Sequence, residues 1–319
     1  MSTCAEKVKE LRGLIESALA GRIGRDSRYW LLDVPYHSNV GDTLIWQGEI
    51  DFLRQFGGQC AGMFSLHSLY LPPIPAHSLV LLHGGGNLGD LWTKPVNYRK
   101  AVMANNPTCR FLIFPQTVYY QSQENLKRDA DFFAQFDCTI CARSQASYDL
   151  LRANFKNEVL LVPDMAFCID MGKWHSEAAQ SGRPLLLLRQ DAEQRSSPAL
   201  EALPREGLDV DDWWPMCHAN REFQIGRRLR KRLPHACCFN LTRWICDAWH
   251  ASVYRPFLIR KGIEQFESHT DIYTTRLHGC ILSLLLGKEK IVLFDNSYGK
   301  NRDFYETWLR DCAAVEFRA

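Results

Sequence analysis

Short apolar runs alternate with helix-length amphipathic segments along most of this 319-residue chain, and that alternation permits few architectures. An apolar run too short for a buried helix and bounded by turn residues is a strand covered on both faces; strands separated by helical segments pair in parallel, because each return crossover needs a helix. On this reading residues 29–34, 79–83, 110–114, 138–141 and 159–162 are strands of one open sheet, with a helix over 43–56 and Pro115 closing the strand at 110–114. Polar residues with Gly172, Gly182 and Pro184 interrupt the series around 170–183 before 185–188 restarts it. A less regular middle, 196–256, precedes a helix at 262–268, a strand at 271–274, a helix at 279–286 and a strand at 291–294. The expected fold class is α/β, with two Rossmann-like domains, 1–176 and 177–319, facing a cleft. In open sheets of this kind ligands sit beyond the carboxyl ends of the strands, so the loops there are where chemistry belongs.

Charge and cysteine usage narrow the function classes. Lys and Arg total 38 against 36 Asp and Glu, a balance of +2, so no global field recruits nucleic acid. No apolar stretch approaches the ~20 residues that span a bilayer. Residues 1–19 lack the apolar centre of a signal peptide and read instead as an amphipathic helix with Val8, Leu11, Leu14, Ile15 and Leu19 on one face. A cytoplasmic protein with reduced thiols is therefore expected despite 12 cysteines. Cys138 and Cys141 have C-x-x-C spacing, but on a strand residues i and i+3 face opposite ways, and no second such pair completes a zinc site; vicinal Cys237 and Cys238 are no better as ligands. No metal is expected.

Several strand ends carry polar residues that could hold a substrate. The loop His37-Ser38-Asn39-Val40-Gly41-Asp42 opens a helix, so its backbone N–H groups could bind an anion or sugar hydroxyl, or simply be capped by Asp42 or Thr43. His83-Gly84-Gly85-Gly86-Asn87 follows a strand and formally contains G-x-G-x-x-G through Gly89, yet it does not follow the first strand and lacks the acidic residue about 20 positions on that a dinucleotide site needs. Gln116 stands beyond another strand and can both donate and accept. Arg143 precedes a helix start, where guanidinium and free N–H groups can clamp an oxyanion, or it can pair with Asp149 or Glu158. In the second half, Arg189 and Asp191 follow a strand, Arg276-Leu277-His278-Gly279 joins a strand to an apolar helix, and Lys300 closes the segment 295–300. His278 titrates near neutrality and can give or take a proton. Arg143 and His278 are expected to face one cleft from opposite halves.

Taken in order, the segments 37–42, 83–87, 115–117, 143–150, 163–164, 189–193, 276–287 and 295–300 resemble the polysaccharide pyruvyl transferase family. The most specific parts are Arg276-Leu277-His278-Gly279 with its helix to Gly287, and Asn39-Val40-Gly41-Asp42; 191–260 carries little of the pattern. The resemblance implies a GT-B-like fold, phosphoenolpyruvate as donor and co-substrate with no other cofactor, and a sugar of a cell-surface or exopolysaccharide precursor, free or lipid-linked, as acceptor. The product would be a cyclic pyruvate ketal. It further implies that His278 is the proton donor or a phosphate ligand and that Arg143, Arg276 and Lys300 hold the donor, while Asn39, Asp42, His83, Gly85, Gly86, Asn87 and Gln116 contact the acceptor. The other readings are a GT-B-like glycosyltransferase using a nucleotide sugar and a non-catalytic glycan-binding protein of the same fold. Finally, Arg221, Arg227, Arg228, Arg230, Lys231 and Arg232 form a basic stretch flanked by Trp213, Trp214, Trp244 and Trp249, a composition suited either to peripheral contact with the inner membrane leaflet or to a solvated helix face.

Overall fold

A computed structural model describes residues 1–24, 27–68, 70–174, 182–191, 193, 196–217, 220–232 and 245–319. The chain is mixed α/β and its strands pair in parallel within two sheets. The first contains β1 (Arg28–Leu32), β2 (Gln59–Phe64), β3 (Leu79–Leu82), β4 (Gly85–Gly89), β5 (Arg110–Tyr119), β6 (Cys138–Ala142) and β7 (Glu158–Leu161), in the order β2-β1-β3-β5-β6-β7 with β4 also paired to β5. The second contains β8 (Leu185–Leu187), β9 (Asp209–Asp211), β10 (Ile272–Thr274), β11 (Ile291–Phe294) and β12 (Val315–Arg318), in the order β12-β11-β10-β8-β9. The helices that matter below are α1 (Cys4–Leu19), α2 (Val40–Gln55), α3 (Thr93–Asn105), α4 (Gln123–Phe133), α5 (Gln145–Asn154), α6 (Arg221–Arg232), α7 (Arg255–Glu267), α8 (Leu277–Leu285) and α9 (Lys300–Phe304).

Burial explains why the strands read as continuous apolar runs. Leu79 and Leu81 of β3 enter one core and Val80 and Leu82 the other, so both faces of the sheet are covered. Cys138 and Cys141 likewise go to opposite cores as buried free thiols. The larger core runs without a break from the first sheet through α2 and the turn Met165–Cys168 into α8 and the second sheet. That continuity fixes the strand ends of one sheet against those of the other.

Several sequence expectations are corrected. Pro115 does not end its strand: β5 continues to Tyr119, because Pro115 sits where its partner changes from β3 to β4 and the register with β6 shifts, a position that needs no N–H. Gln116 is therefore inside the strand, fully buried. The glycines at 85–89 belong to a short further strand, β4. Helix α2 starts at Val40, capped by Asn39, whose Oδ1 accepts the Gly41 N–H at 3.0 Å, rather than by Asp42 or Thr43. In α1 the stripe is Val8, Leu11, Ile15 and Leu19; Leu14 is 42% exposed because, at roughly 100° per residue, it turns off that stripe. This helix lies against the second half: Ser2 bridges to Cys312, and Lys7 pairs with Asp311 at 2.7 Å. Trp213 is not a surface residue but stacks on Phe266 in the core. Trp214 and Trp249 are partly buried, whereas Trp244, Cys237, Cys238 and the boundary between 176 and 177 lie outside the described residues.

Candidate active site

Loops beyond β1, β3, β6, β8, β10 and β11 surround a cavity of about 840 Å³ lined from both sheets. Two of its lining residues, Arg143 and His278, come from distant parts of the chain and meet on one carboxylate. Asp164, in the loop after β7, accepts from Arg143 Nη1 at 2.8 Å, and its same Oδ2 lies 3.3 Å from His278 Nε2. Its other oxygen accepts the Ala166 N–H at 2.9 Å. Burial alone would neutralise Asp164, but the His278 imidazole and the Arg143 guanidinium outweigh it and hold the carboxyl well below the usual carboxylate range. Arg143 pairs with neither Asp149 nor Glu158; its Nε donates to Thr117 Oγ1 at 2.7 Å.

The other guanidinium nitrogen, Arg143 Nη2, faces Gly86. A Cβ built on Gly86 would lie 3.1 Å from Arg143 Nη2, 3.9 Å from Lys300 Nζ and 4.0 Å from Tyr298 Oη, so three hydrogen-bond donors surround one unfilled point. With no side chain at Gly86, a phosphate or carboxylate in the cavity can approach these groups closely. Lys300 also contacts Glu193, which takes a second cation, Arg189, and accepts from Tyr298 and Asn296. Burial lowers Lys300 to about 8 against the pull of Glu193, with Arg189 and Arg143 pushing the same way as burial. The Lys300 and Arg189 charges hold Glu193 at about 2 despite its own burial. Arg276 lines the cavity, but Asp212 and Asp191 match its charge.

His278 reaches this cluster from the first turn of α8 because Gly41 lets α2 approach: a Cβ on Gly41 would fall 2.5 Å from His278 Nδ1. Along the first-sheet wall, Asn39 donates to Asp42 Oδ2 at 2.9 Å. Burial acts to raise Asp42, yet His37 and His278 more than offset it and keep its carboxyl below the ordinary range. His83 and Asn87 line the same wall, and Arg99 donates to Asn87 Oδ1 at 2.7 Å. Gly85 packs near Asp42. Gln116 does not line the cavity; its Nε2 donates to the His83 carbonyl at 2.7 Å. Thus the structure brings Arg143, Arg276, His278, Lys300, Asn39, Asp42, His83, Gly86 and Asn87 to one cavity and leaves Gly85 and Gln116 behind its wall.

Sequence reasoning did not assign Asp164, Glu193 or Glu49 a role in the site. Asp164 follows Pro163 at a strand end, and Glu49 lies about two helical turns from Asp42, which puts those two on one face of α2. Asp33, at the cavity mouth, has φ of 66° and is held by Arg99 Nε at 2.8 Å, a left-handed backbone of the kind found at functional sites. Among the described residues no cluster of His, Cys, Asp and Glu is arranged to hold a metal ion.

Fold and site together define an α/β protein with an anion-receptive cavity at the carboxyl ends of two parallel sheets. The signature of the family "Polysaccharide pyruvyl transferase" matches residues 39–297, and the chain belongs to that family of transferases. Over 301 residues it is 29% identical to "Putative pyruvyl transferase EpsO" of Bacillus subtilis (strain 168), spanning 92% of this chain and 89% of that protein. It is 27% identical over 305 residues to "Pyruvyl transferase 1" of Schizosaccharomyces pombe, spanning 88% of this chain and 70% of that protein. A crystal structure of a protein of uncharacterised function from Klebsiella pneumoniae shares the fold at a TM-score of 0.59 and 19% identity, covering 100% of this chain and 99% of that one.

A side chain at position 86 should weaken the binding of an anion in this corner selectively. Gly86 has no positive φ, so Gly86→Ala is backbone-compatible, and the added methyl presses on Arg143 Nη2. The expected result is a rise of about tenfold in the dissociation constant for inorganic phosphate as a probe anion by calorimetry, equivalent to about 1.4 kcal/mol, with the melting temperature little changed. Unaltered affinity would mean that anions do not bind against Gly86.

Proposed function

We propose that this protein transfers the enolpyruvyl group of phosphoenolpyruvate to a sugar of a cell-surface or exopolysaccharide precursor and closes a cyclic pyruvate ketal. The observation that carries the reading is that Arg143 Nη2, Lys300 Nζ and Tyr298 Oη come together around Gly86, which has no side chain to cover them, in the cavity that His278 also lines. Phosphoenolpyruvate has two anionic groups to anchor, and this corner supplies cations without a nucleotide-sized fingerprint. Family membership and the names of the relatives support the same transfer. His278 protonates the donor's methylene carbon from Nε2; the 3.3 Å contact with Asp164 is long enough for that proton to be shared with substrate. Positive charge then develops at the adjacent carbon, a sugar hydroxyl attacks it, phosphate departs, and a second hydroxyl closes the ring. Arg143 and Lys300 bind the donor's phosphate and carboxylate, and Arg276 shapes its pocket. No metal or further cofactor takes part.

The acceptor lies along the first-sheet wall against Asn39, Asp42, His83 and Asn87. Trp92, 42% exposed while lining the cavity, offers an apolar face for a sugar ring. We read 1–176 as the acceptor-side domain with part of the donor site, 177–319 as the phosphoenolpyruvate-side domain, and the pair as GT-B-like and cytoplasmic. Incubation with phosphoenolpyruvate and lipid-linked sugar fractions should release phosphate and add pyruvate to the sugar, read by mass spectrometry. Transfer from a nucleotide sugar instead would favour a glycosyltransferase, and glycan binding without turnover a silent binding protein.

A lipid-linked acceptor calls for a membrane-facing surface, which we assign to α6. Arg221, Arg227 and Arg228 are exposed on it, and among the described residues no helix is long and apolar enough to cross a bilayer. Basic residues contribute about 1 kcal/mol each near anionic lipid. The protein should co-sediment with anionic but not neutral vesicles, less so in salt or with Arg227→Gln and Arg228→Gln. Absence from the anionic pellet at low salt would refute this contact.

A further inference from the structure

The attacking hydroxyl must lose a proton, and the cavity wall holds a dyad suited to take it. His83 Nδ1 lies 2.8 Å from Glu49 Oε2, and Glu49 Oε1 accepts the Gly84 N–H at 2.8 Å, which fixes the carboxylate on two sides. Both side chains are buried; His83 is one of the residues that line the cavity, and its buried Nε2 has no hydrogen-bond partner. Its backbone is anchored, because its carbonyl accepts from Arg99 and Gln116 and its N–H donates to Leu32. A carboxylate on Nδ1 selects the tautomer with its proton there and leaves a lone pair on Nε2.

We propose that His83, oriented by Glu49, is the base that takes the proton of the attacking acceptor hydroxyl; the role rests on the ketal-forming reading above. Asp42 is the other base on this wall, but a carboxyl kept below the ordinary range is a weak one. Burial acts to lower His83, and the Glu49 carboxylate more than offsets it, so the imidazole is a stronger base than a free one. Asp42 from α2, Asp33 after β1, His37 in the following loop and Arg99 from α3 are the other charged or titratable groups around the ring.

The proton accounting closes. As the hydroxyl oxygen bonds to the donor's central carbon, its proton passes to His83 Nε2, while the donor's π pair takes a proton from His278 Nε2 onto the methylene carbon. The carbon–oxygen bond to phosphate then breaks with its electron pair on phosphate, which leaves as hydrogen phosphate carrying, by way of solvent, the proton His83 collected. The second hydroxyl bonds to the same carbon and returns its proton to His278. Both histidines end as they began.

Two measurements test this, the first of them separately from the reaction itself. In protein labelled with ¹⁵N-histidine, the ring signals lost in His83→Asn identify His83; Asn retains a donor toward Glu49 and lacks Nε2. At high pH those signals should report a proton on Nδ1 and none on Nε2, and Glu49→Gln should lower the pH at which the ring titrates. A proton on Nε2, or titration indifferent to Glu49→Gln, overturns the dyad whatever the protein's activity. In the phosphate-release assay, His83→Asn should bind phosphoenolpyruvate as wild type does but turn over ~10²- to 10⁴-fold more slowly. Near-normal turnover overturns His83 as the base while leaving the ketal-forming reading intact. A wild-type protein that releases no phosphate with any sugar fraction overturns that reading and the base's role with it, even where the histidine signals are as expected.

Discussion

Replacing His278 with alanine should slow turnover ~10²- to 10⁴-fold, the usual contribution of a positioned general acid. The fold should survive, because Asp164 keeps its Arg143 partner and α8 keeps the apolar residues that bury it. Steady-state phosphate release and calorimetric affinity for phosphoenolpyruvate, measured on the same preparation, separate the two roles open to this residue. A fall in kcat with unchanged affinity identifies the acid. A rise in the dissociation constant with kcat intact identifies a phosphate ligand, since that removes binding shared by ground and transition states. Parallel loss of thermal stability and activity would assign His278 to the contact with Gly41 that joins α2 to α8.

How far the sequence reaches depends on what holds each element. The strands β1, β3, β6, β7, β8, β10 and β11 were legible because their apolar character is intrinsic and both faces are buried. In contrast, β4 is glycine-rich and exists because the second half of β5 pairs with it, β2 is a largely unburied edge, and β9 is Asp-Val-Asp held against β8. None carries a local signal of that kind. In the site, Arg143, His278 and Lys300 were legible from their positions after strand ends, as expected for open parallel sheets. The carboxylates were not, because their meaning is tertiary: Asp164 meets His278 across 114 residues of chain and Glu193 meets Lys300 across 107. Gln116 illustrates the converse error. Reading Pro115 as a strand end moved it into a substrate loop, whereas pairing of β5 with β4 keeps it in the sheet as a support for His83.

Asp164 is where the site and the stability of the fold share one group, so Asp164→Ala should damage both. It leaves the Arg143 guanidinium buried without its carboxylate, and breaking a buried pair from one side typically costs about 3–5 kcal/mol. Urea unfolding should report that loss as a lower midpoint with an unchanged slope. Turnover should fall together with it, since Arg143 and His278 both lose the group they meet on. The pH dependence has a definite sign. The folded carboxyl is held below its unfolded value of about 3.9, so its contribution is present at neutral pH and is lost as the pH falls below that value toward the folded one. The stability gap between wild type and Asp164→Ala should therefore narrow in acid. A second substitution distinguishes charge from packing: adding Arg143→Met to Asp164→Ala removes the stranded cation and should recover part of the lost stability, though none of the activity. Additive destabilisation in the double variant would mean that the two side chains serve the fold by filling space, and that their ion pair is incidental to it.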